Sequence, residues 1–147
     1  MPALRRAEAT WSGDLTSGSG KVTAATSHAF GDLPVTWASR TESADGRTSP
    51  EELLAAAHAA CFSMAFSNGL AKAGHPAERL DVSAEVTFDK VEAGWRVTRI
   101  QLSVRGRVPG IERDEFGAAA EAAKAGCPIS QALSPSIELS VEATLEG

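Results

Sequence analysis

Residues 49–74, SPEELLAAAHAACFSMAFSNGLAKAG, constrain what the rest of the chain can become. Ser49 can cap a helix, Pro50 suits the first helical position, and Glu52 follows Ser49 by three residues, the spacing of a capping box. Gly74, followed by Pro76, reads as the stop. Between positions 53 and 66 only His58 and Ser63 interrupt the apolar residues, so this helix has no polar face. A helix that is apolar all round is either buried or spans a membrane. The apolar run is fourteen residues long, short of the roughly 20 needed to cross a bilayer, so a buried central helix is expected. A chain of 147 residues has little with which to cover it. One sheet covers one side and a second helix part of another. A partner subunit would cover the remainder, which predicts an extensive homodimer interface.

The flanking segments read as strands and short helices. Residues 7–11 alternate, Ser12-Gly13-Asp14 turns, and residues 22–26 are strand-like. Val35-Thr36-Trp37-Ala38-Ser39-Arg40 has the β-branched and aromatic content of another strand, and residues 41–48 form a polar loop leading into the central helix. After Gly74 the period becomes two. Leu80, Val82, Ala84, Val86 and Phe88 share one face, Val91-Glu92-Ala93-Gly94 turns, and Trp95, Val97, Ile100, Leu102 and Val104 return. The phase slips between Val97 and Ile100, which predicts a bulge there. Residues 114–125 read as an Ala-rich helix stopped at Gly126. A short helix follows over 127–133, with Cys127 at its cap and Pro128 at its first position, and Ile137 to Leu145 alternate as a final strand. No repeat or linker divides the chain, so the expectation is one α+β domain spanning residues 1–147.

Hydrophobic residues at 43% with 22% charged are ordinary for a soluble globular protein. A net charge of −5 argues against a nucleic-acid or anionic-membrane surface. The N-terminal residues lack the apolar core of a signal peptide, so a cytoplasmic location is expected. In that compartment paired cysteines are more often catalytic, redox-sensing or metal-binding than structural. No C-x-x-C or H-x-x-x-H spacing supports a metal site.

The chain has two cysteines, Cys61 and Cys127. A buried cysteine is usually a small hydrophobe. A reactive one needs a depressed pKa, since a free thiol near ~8.5 is only a few per cent ionised at neutral pH. Cys61 lies mid-helix, where the positive potential of the N-terminus has faded. If it reacts, a specific cation must sit beside it. Candidates are Arg40, Arg47, and His58 one turn back on the same face. Cys127 carries its own activating feature, because at the cap of the Pro128 helix it faces unpaired backbone N–H groups.

The segments PEELLAAAHAACFSMA, DKVEAGWRVTRIQL, VPGI and KAGCPISQAL, in this order, strongly resemble the OsmC branch of the OsmC/Ohr family of thiol-dependent hydroperoxide reductases. The likeness runs from Trp11-Ser12-Gly13-Asp14 to the final strand. It implies antiparallel sheets wrapped around long buried central helices in an intertwined homodimer, with two active sites at the interface. It implies that Cys61 attacks the peroxide, Cys127 resolves, Arg40 activates the thiolate and Glu51 pairs with Arg40. The glycine-rich, arginine-bearing segment that marks the Ohr branch is absent here, which moves the expected arginine to Arg40, at a strand end before the helix.

The residue types fit that chemistry. A Cys61 thiolate attacks ROOH, expels an alcohol and becomes a sulfenic acid. Cys127 condenses with it to a disulfide, and an external dithiol reduces the disulfide by exchange. No metal, haem or flavin is needed. Apolar neighbours of Cys61 would favour organic hydroperoxides. Glu51 precedes Cys61 by ten residues, roughly 15 Å of helix. One arginine cannot easily serve both over that distance, so either Arg40 and Glu51 do not both come from the same subunit as Cys61 in each site, or Glu51 only caps the start of its own helix. A second reading is a redox sensor or small-molecule binding protein in which the disulfide switches an interaction without turnover.

Overall fold

A computed structural model describes residues 1–147, which form two compact units, Met1–Leu53 and Leu54–Gly147. In the first, β1 (Ala7–Ser12), β2 (Ser19–Ala24) and β3 (Leu33–Val35) make an antiparallel sheet in that order. The β1–β2 turn is held by Asp14, whose carboxylate accepts from the Ser17 N–H at 2.7 Å and the Ser17 hydroxyl at 2.6 Å. A short helix, α1 (Trp37–Thr41), follows.

The strand expected over positions 35–40 is thus corrected: it ends at Val35 and the chain coils into α1. The reason is local. Thr36 Oγ1 accepts from the Ser39 N–H at 3.0 Å while the Thr36 N–H donates to Ser39 Oγ at 3.0 Å, a reciprocal cap that outweighs the β propensity of Thr36 and Trp37. The Ser39 hydroxyl also contacts the Thr48 carbonyl oxygen at 2.9 Å.

Helix α2 (Pro50–Lys72) starts as expected. Ser49 Oγ accepts from the Glu52 N–H at 3.1 Å, but the returning half of the box is not made. The Glu52 carboxylate accepts from the Thr48 hydroxyl at 2.6 Å instead. The helix stops where Gly74 takes φ +88°, a left-handed conformation that favours glycine. At 23 residues α2 is long and apolar enough, by length and composition, to cross a membrane, because it runs well past its fourteen-residue apolar centre.

The second unit holds the core. β4 (Arg79–Val91) and β5 (Gly94–Arg107) form the long antiparallel hairpin, and Thr87 pairs with Arg99 while Phe88 pairs with Val97. Thr98 is therefore the extra residue, inside the interval where the apolar phase slips. β6 (Glu138–Leu145) adds to β5 in parallel, so this sheet is mixed and not wholly antiparallel. A parallel neighbour requires a crossover, which α3 (Arg113–Gly126) and α4 (Pro128–Leu133) provide.

On α2, His58, Phe62, Phe66 and Leu70 are all 0% exposed, a stripe at four-residue spacing that meets Leu102 and Val104 of β5 and Phe116 and Ala120 of α3. Phe66 packs between Phe62 and Phe116, with ring centroids 5.5 and 5.1 Å away. Apart from Glu51 in the first turn, only this stripe of α2 is buried within the chain. Met64, on another side of α2, is 69% exposed. The all-round burial expected of α2 is therefore not achieved by one chain.

Candidate active site

Two constellations of candidate residues form, one in each unit. In Leu54–Gly147, α2 carries Cys61 one turn after His58, and Cys127 stands between α3 and α4 as the N-cap of α4, with Pro128 at its first position. Both are free thiols, Cys127 fully buried and Cys61 partly exposed. They stand 66 positions apart in the chain, and the fold brings their sulfur atoms to 2.9 Å, joined by one hydrogen bond that either thiol can donate. Cys61 also lines an apolar groove of about 890 Å³ with Ala57, Met64, Ala123, Pro128 and Ile129.

The surroundings treat the two thiols differently. Burial pushes the Cys61 thiol up, and the neighbouring Cys127 sulfur adds to this, against a smaller opposing effect from the Ile129 N–H. Burial would push Cys127 up as well, but it is outweighed by the hydrogen bond with Cys61, by the Ser130 N–H and hydroxyl, and by the Ile129 N–H, so Cys127 ends lower than an ordinary thiol. No side-chain hydrogen bond of good geometry closes the cap. The amides at the start of α4 therefore act on the sulfur by electrostatic attraction. Within this unit the pair's negative charge favours Cys127, and ionising Cys61 requires a cation from elsewhere.

His58 is not that cation. It is fully buried, and burial lowers its pKa, so the ring is neutral at physiological pH. Its Nε2 lies 2.8 Å from Ser130 Oγ, while Nδ1 has no partner. Ser130 is the residue that reading the sequence missed. The available signal was its position three residues after Cys127, where a capped helix points an N–H and a short polar side chain back at the cap.

In Met1–Leu53 the structure brings Arg40 and Glu51 together. Arg40 lies on α1, not at a strand end. Its Nε donates to Glu51 Oε1 at 3.0 Å and to Oε2 at 3.2 Å, and its Nη2 donates to Oε2 at 2.9 Å. The guanidinium also lies 5.8 Å from the centre of the Trp37 ring, one turn earlier. Glu51 is 8% exposed, so its charge is matched by a fork-on-fork ion pair where water has little access. Arg47, the other arginine candidate, pairs with Asp45 at 3.6 Å on the surface.

A family model described as OsmC-like protein matches residues 43–142. Among curated proteins, the peroxiredoxin OsmC of Escherichia coli (strain K12) is 42% identical over 139 residues, covering 95% of this chain and 96% of that protein. The organic hydroperoxide resistance protein OhrA of Bacillus subtilis (strain 168) is 29% identical over 113 residues, covering 76% of this chain and 77% of its own. The solved structure of the organic hydroperoxide resistance protein OhrB of Bacillus subtilis superposes with a TM-score of 0.76 at 23% identity, covering 97% of this chain and 100% of that one. An organic hydroperoxide resistance protein from Elizabethkingia anophelis gives 0.72 at 24% identity, covering 99% and 100% respectively. These two share the fold. The family match over residues 43–142 and the end-to-end relative at 42% identity decide the family: the chain belongs to the OsmC-like proteins.

Proposed function

We propose that this protein is a cysteine-based peroxidase that reduces organic hydroperoxides to alcohols. The observation that carries the reading is the Cys61–Cys127 pair, 2.9 Å apart, with Cys61 on an apolar groove. The names of its relatives, a peroxiredoxin and an organic hydroperoxide resistance protein, agree with it. The Cys61 thiolate attacks the terminal oxygen of ROOH. The O–O bond breaks, the sulfur keeps the hydroxyl as a sulfenic acid, and the alkoxide takes a proton and leaves as the alcohol. Cys127 then displaces that hydroxyl and closes a Cys61–Cys127 disulfide. An external dithiol restores the two thiols.

Arg40 supplies the cation that Cys61 needs, and Glu51 fixes the guanidinium in orientation. Arg40 and Glu51 act on the Cys61 of a second copy of the chain, so the working unit is a homodimer. The exposed side of α2 supports this reading, because an apolar helix face with Met64 69% exposed calls for cover. A reducing compartment, the cytoplasm, suits two free thiols that must be regenerated.

The test is steady-state consumption of cumene hydroperoxide and hydrogen peroxide with dithiothreitol, on the wild type and Cys61→Ser. Sustained turnover that is faster with the organic peroxide and lost in the variant is expected. A single oxidation without turnover would replace this reading with a redox sensor.

A further inference from the structure

His58 is the buried titratable group that the disulfide chemistry leaves without a task. It heads a stripe otherwise made of Phe62, Phe66 and Leu70, where another apolar side chain would leave no polar atom unpaired, yet its Nδ1 is buried without a partner. The other ring nitrogen is spent on Ser130, itself 1% exposed, at 2.8 Å. Ser130 is the third residue of α4 and Cys127 its cap, so the Ser130 N–H and hydroxyl belong to the helix end that faces the Cys127 sulfur, and they favour its thiolate. Cys127 in turn lies 2.9 Å from Cys61. His58, Ser130, Cys127 and Cys61 thus follow one another as polar side chains in an apolar core, buried at every point but Cys61.

The ring tautomer follows from what stays unpaired. If Nε2 carries the hydrogen and donates to Ser130 Oγ, the orphan is the Nδ1 lone pair. The other tautomer would bury an N–H with no acceptor, the rarer and costlier defect. With His58 as donor, the Ser130 oxygen is already occupied as an acceptor and its own proton is free to turn to the sulfur.

We propose that His58 and Ser130 are positioning residues for Cys127: the His58 N–H holds Ser130 Oγ, and the Ser130 hydroxyl donates to the Cys127 sulfur, keeping it the ready nucleophile for disulfide closure. The proposal rests on the peroxidase reading. In the step served, the Cys127 thiolate attacks the sulfur of the Cys61 sulfenic acid, the S–S bond forms, the S–O bond breaks, and hydroxide leaves and takes up a proton as water. The oxidation state of the sulfenic sulfur falls by one and that of the Cys127 sulfur rises by one, so the two meet in the disulfide and no further oxidant enters. The other groups around Cys127 are few. α2 presents Cys61 and His58. α3 presents Lys124, which pairs with Glu121 at 2.9 Å and borders a small cavity beside Ser130. β5 and β6 bring apolar side chains, Leu102 and Val141 among them, to the core cluster that includes Cys127.

Two measurements on the full-length reduced protein test this. The first is the pH dependence of Cys127 alkylation by iodoacetamide in the Cys61→Ser background. Ser130→Ala and His58→Leu should move the midpoint up by about one pH unit, roughly tenfold in thiolate. Ser130→Thr and His58→Gln restore a hydroxyl and an amide donor and should return it. The second is dimedone trapping after one equivalent of cumene hydroperoxide, where Ser130→Ala should raise trapped Cys61 sulfenic acid several-fold. Unmoved alkylation midpoints in both disruptive variants would overturn the proposal, and if His58→Leu fails to fold, Ser130→Ala, one oxygen smaller, decides alone. Alkylation needs no peroxide, so the two readings fail separately. Shifted midpoints with thiols inert to peroxide would uphold the hydrogen-bonded line and overturn the peroxidase reading.

Discussion

Replacing Met64 by glutamate distinguishes a chain that works alone from one that works as a pair. Met64 is 69% exposed on α2, beside the groove that holds Cys61. In a monomer the substitution touches solvent, and its effect on unfolding should stay within about 0.5 kcal/mol. In a homodimer that covers this face, the outcome differs. Fully burying a methionine contributes about 1.5–3 kcal/mol, so burying the exposed two-thirds contributes about 1–2 kcal/mol per protomer. A two-fold interface counts it twice, about 2–4 kcal/mol, which weakens dimerisation by about 30- to 1,000-fold. Desolvating the two carboxylates adds to that, so the range is a floor. Sedimentation velocity over a dilution series measures it, with urea unfolding of the same samples as the control. The expected result is a wild-type dimer and a Met64→Glu protein that dissociates at far higher concentration. A wild type that sediments as a monomer at micromolar concentration, or a variant dimer as tight as the wild type, would refute the reasoning.

Two further predictions concern the second unit. A methyl group at Gly106 would lie 2.6 Å from two ring carbons of Phe116 and 3.2 Å from Leu80 Cδ2, so Gly106→Ala should cost about 1–3 kcal/mol by overpacking, read as a lower urea midpoint. An unchanged midpoint would contradict the close seating of α3 on β5. His58, neutral when folded and with its pKa below the ordinary 6.5, takes up a proton more readily unfolded. Its contribution is fully present above pH 6.5 and is lost as pH falls below it, at up to about 1.4 kcal/mol per pH unit until the folded ring also protonates. Wild type should therefore lose stability between pH 7 and 5 faster than His58→Gln, and parallel pH profiles would count against a neutral buried ring.

Sequence read best where one local rule governs. Ser49, Pro50 and Gly74 bound α2, and the two-residue period of Leu80 to Phe88 set the hairpin. The slip between Val97 and Ile100 located the bulge at Thr98, and Pro128 placed Cys127 at a helix cap. It read poorly where a competing side-chain bond or a distant partner decides. α1 was hidden because Thr36 and Trp37 favour a strand until Ser39 closes the reciprocal cap. The parallel pairing of β6 with β5 is settled by the crossover through α3 and α4, which leaves no mark on the alternation of β6. In the candidate site the thiols stood out by scarcity and by family likeness. Arg40 was one of three candidate cations until the likeness singled it out, and Glu51 as its partner came from the likeness alone. Ser130 is marked only by its place three residues after Cys127, and its tie to His58, 72 residues away in the chain, leaves no local trace.

The most direct test of the central claim is to treat the reduced protein with one equivalent of cumene hydroperoxide, quench at once and map the thiols by mass spectrometry. A Cys61–Cys127 cross-link within a single chain is expected, formed through a Cys61 sulfenic acid that dimedone intercepts. Cys61 left as a free thiol, or oxidised to sulfinic acid while Cys127 stays reduced, would contradict it.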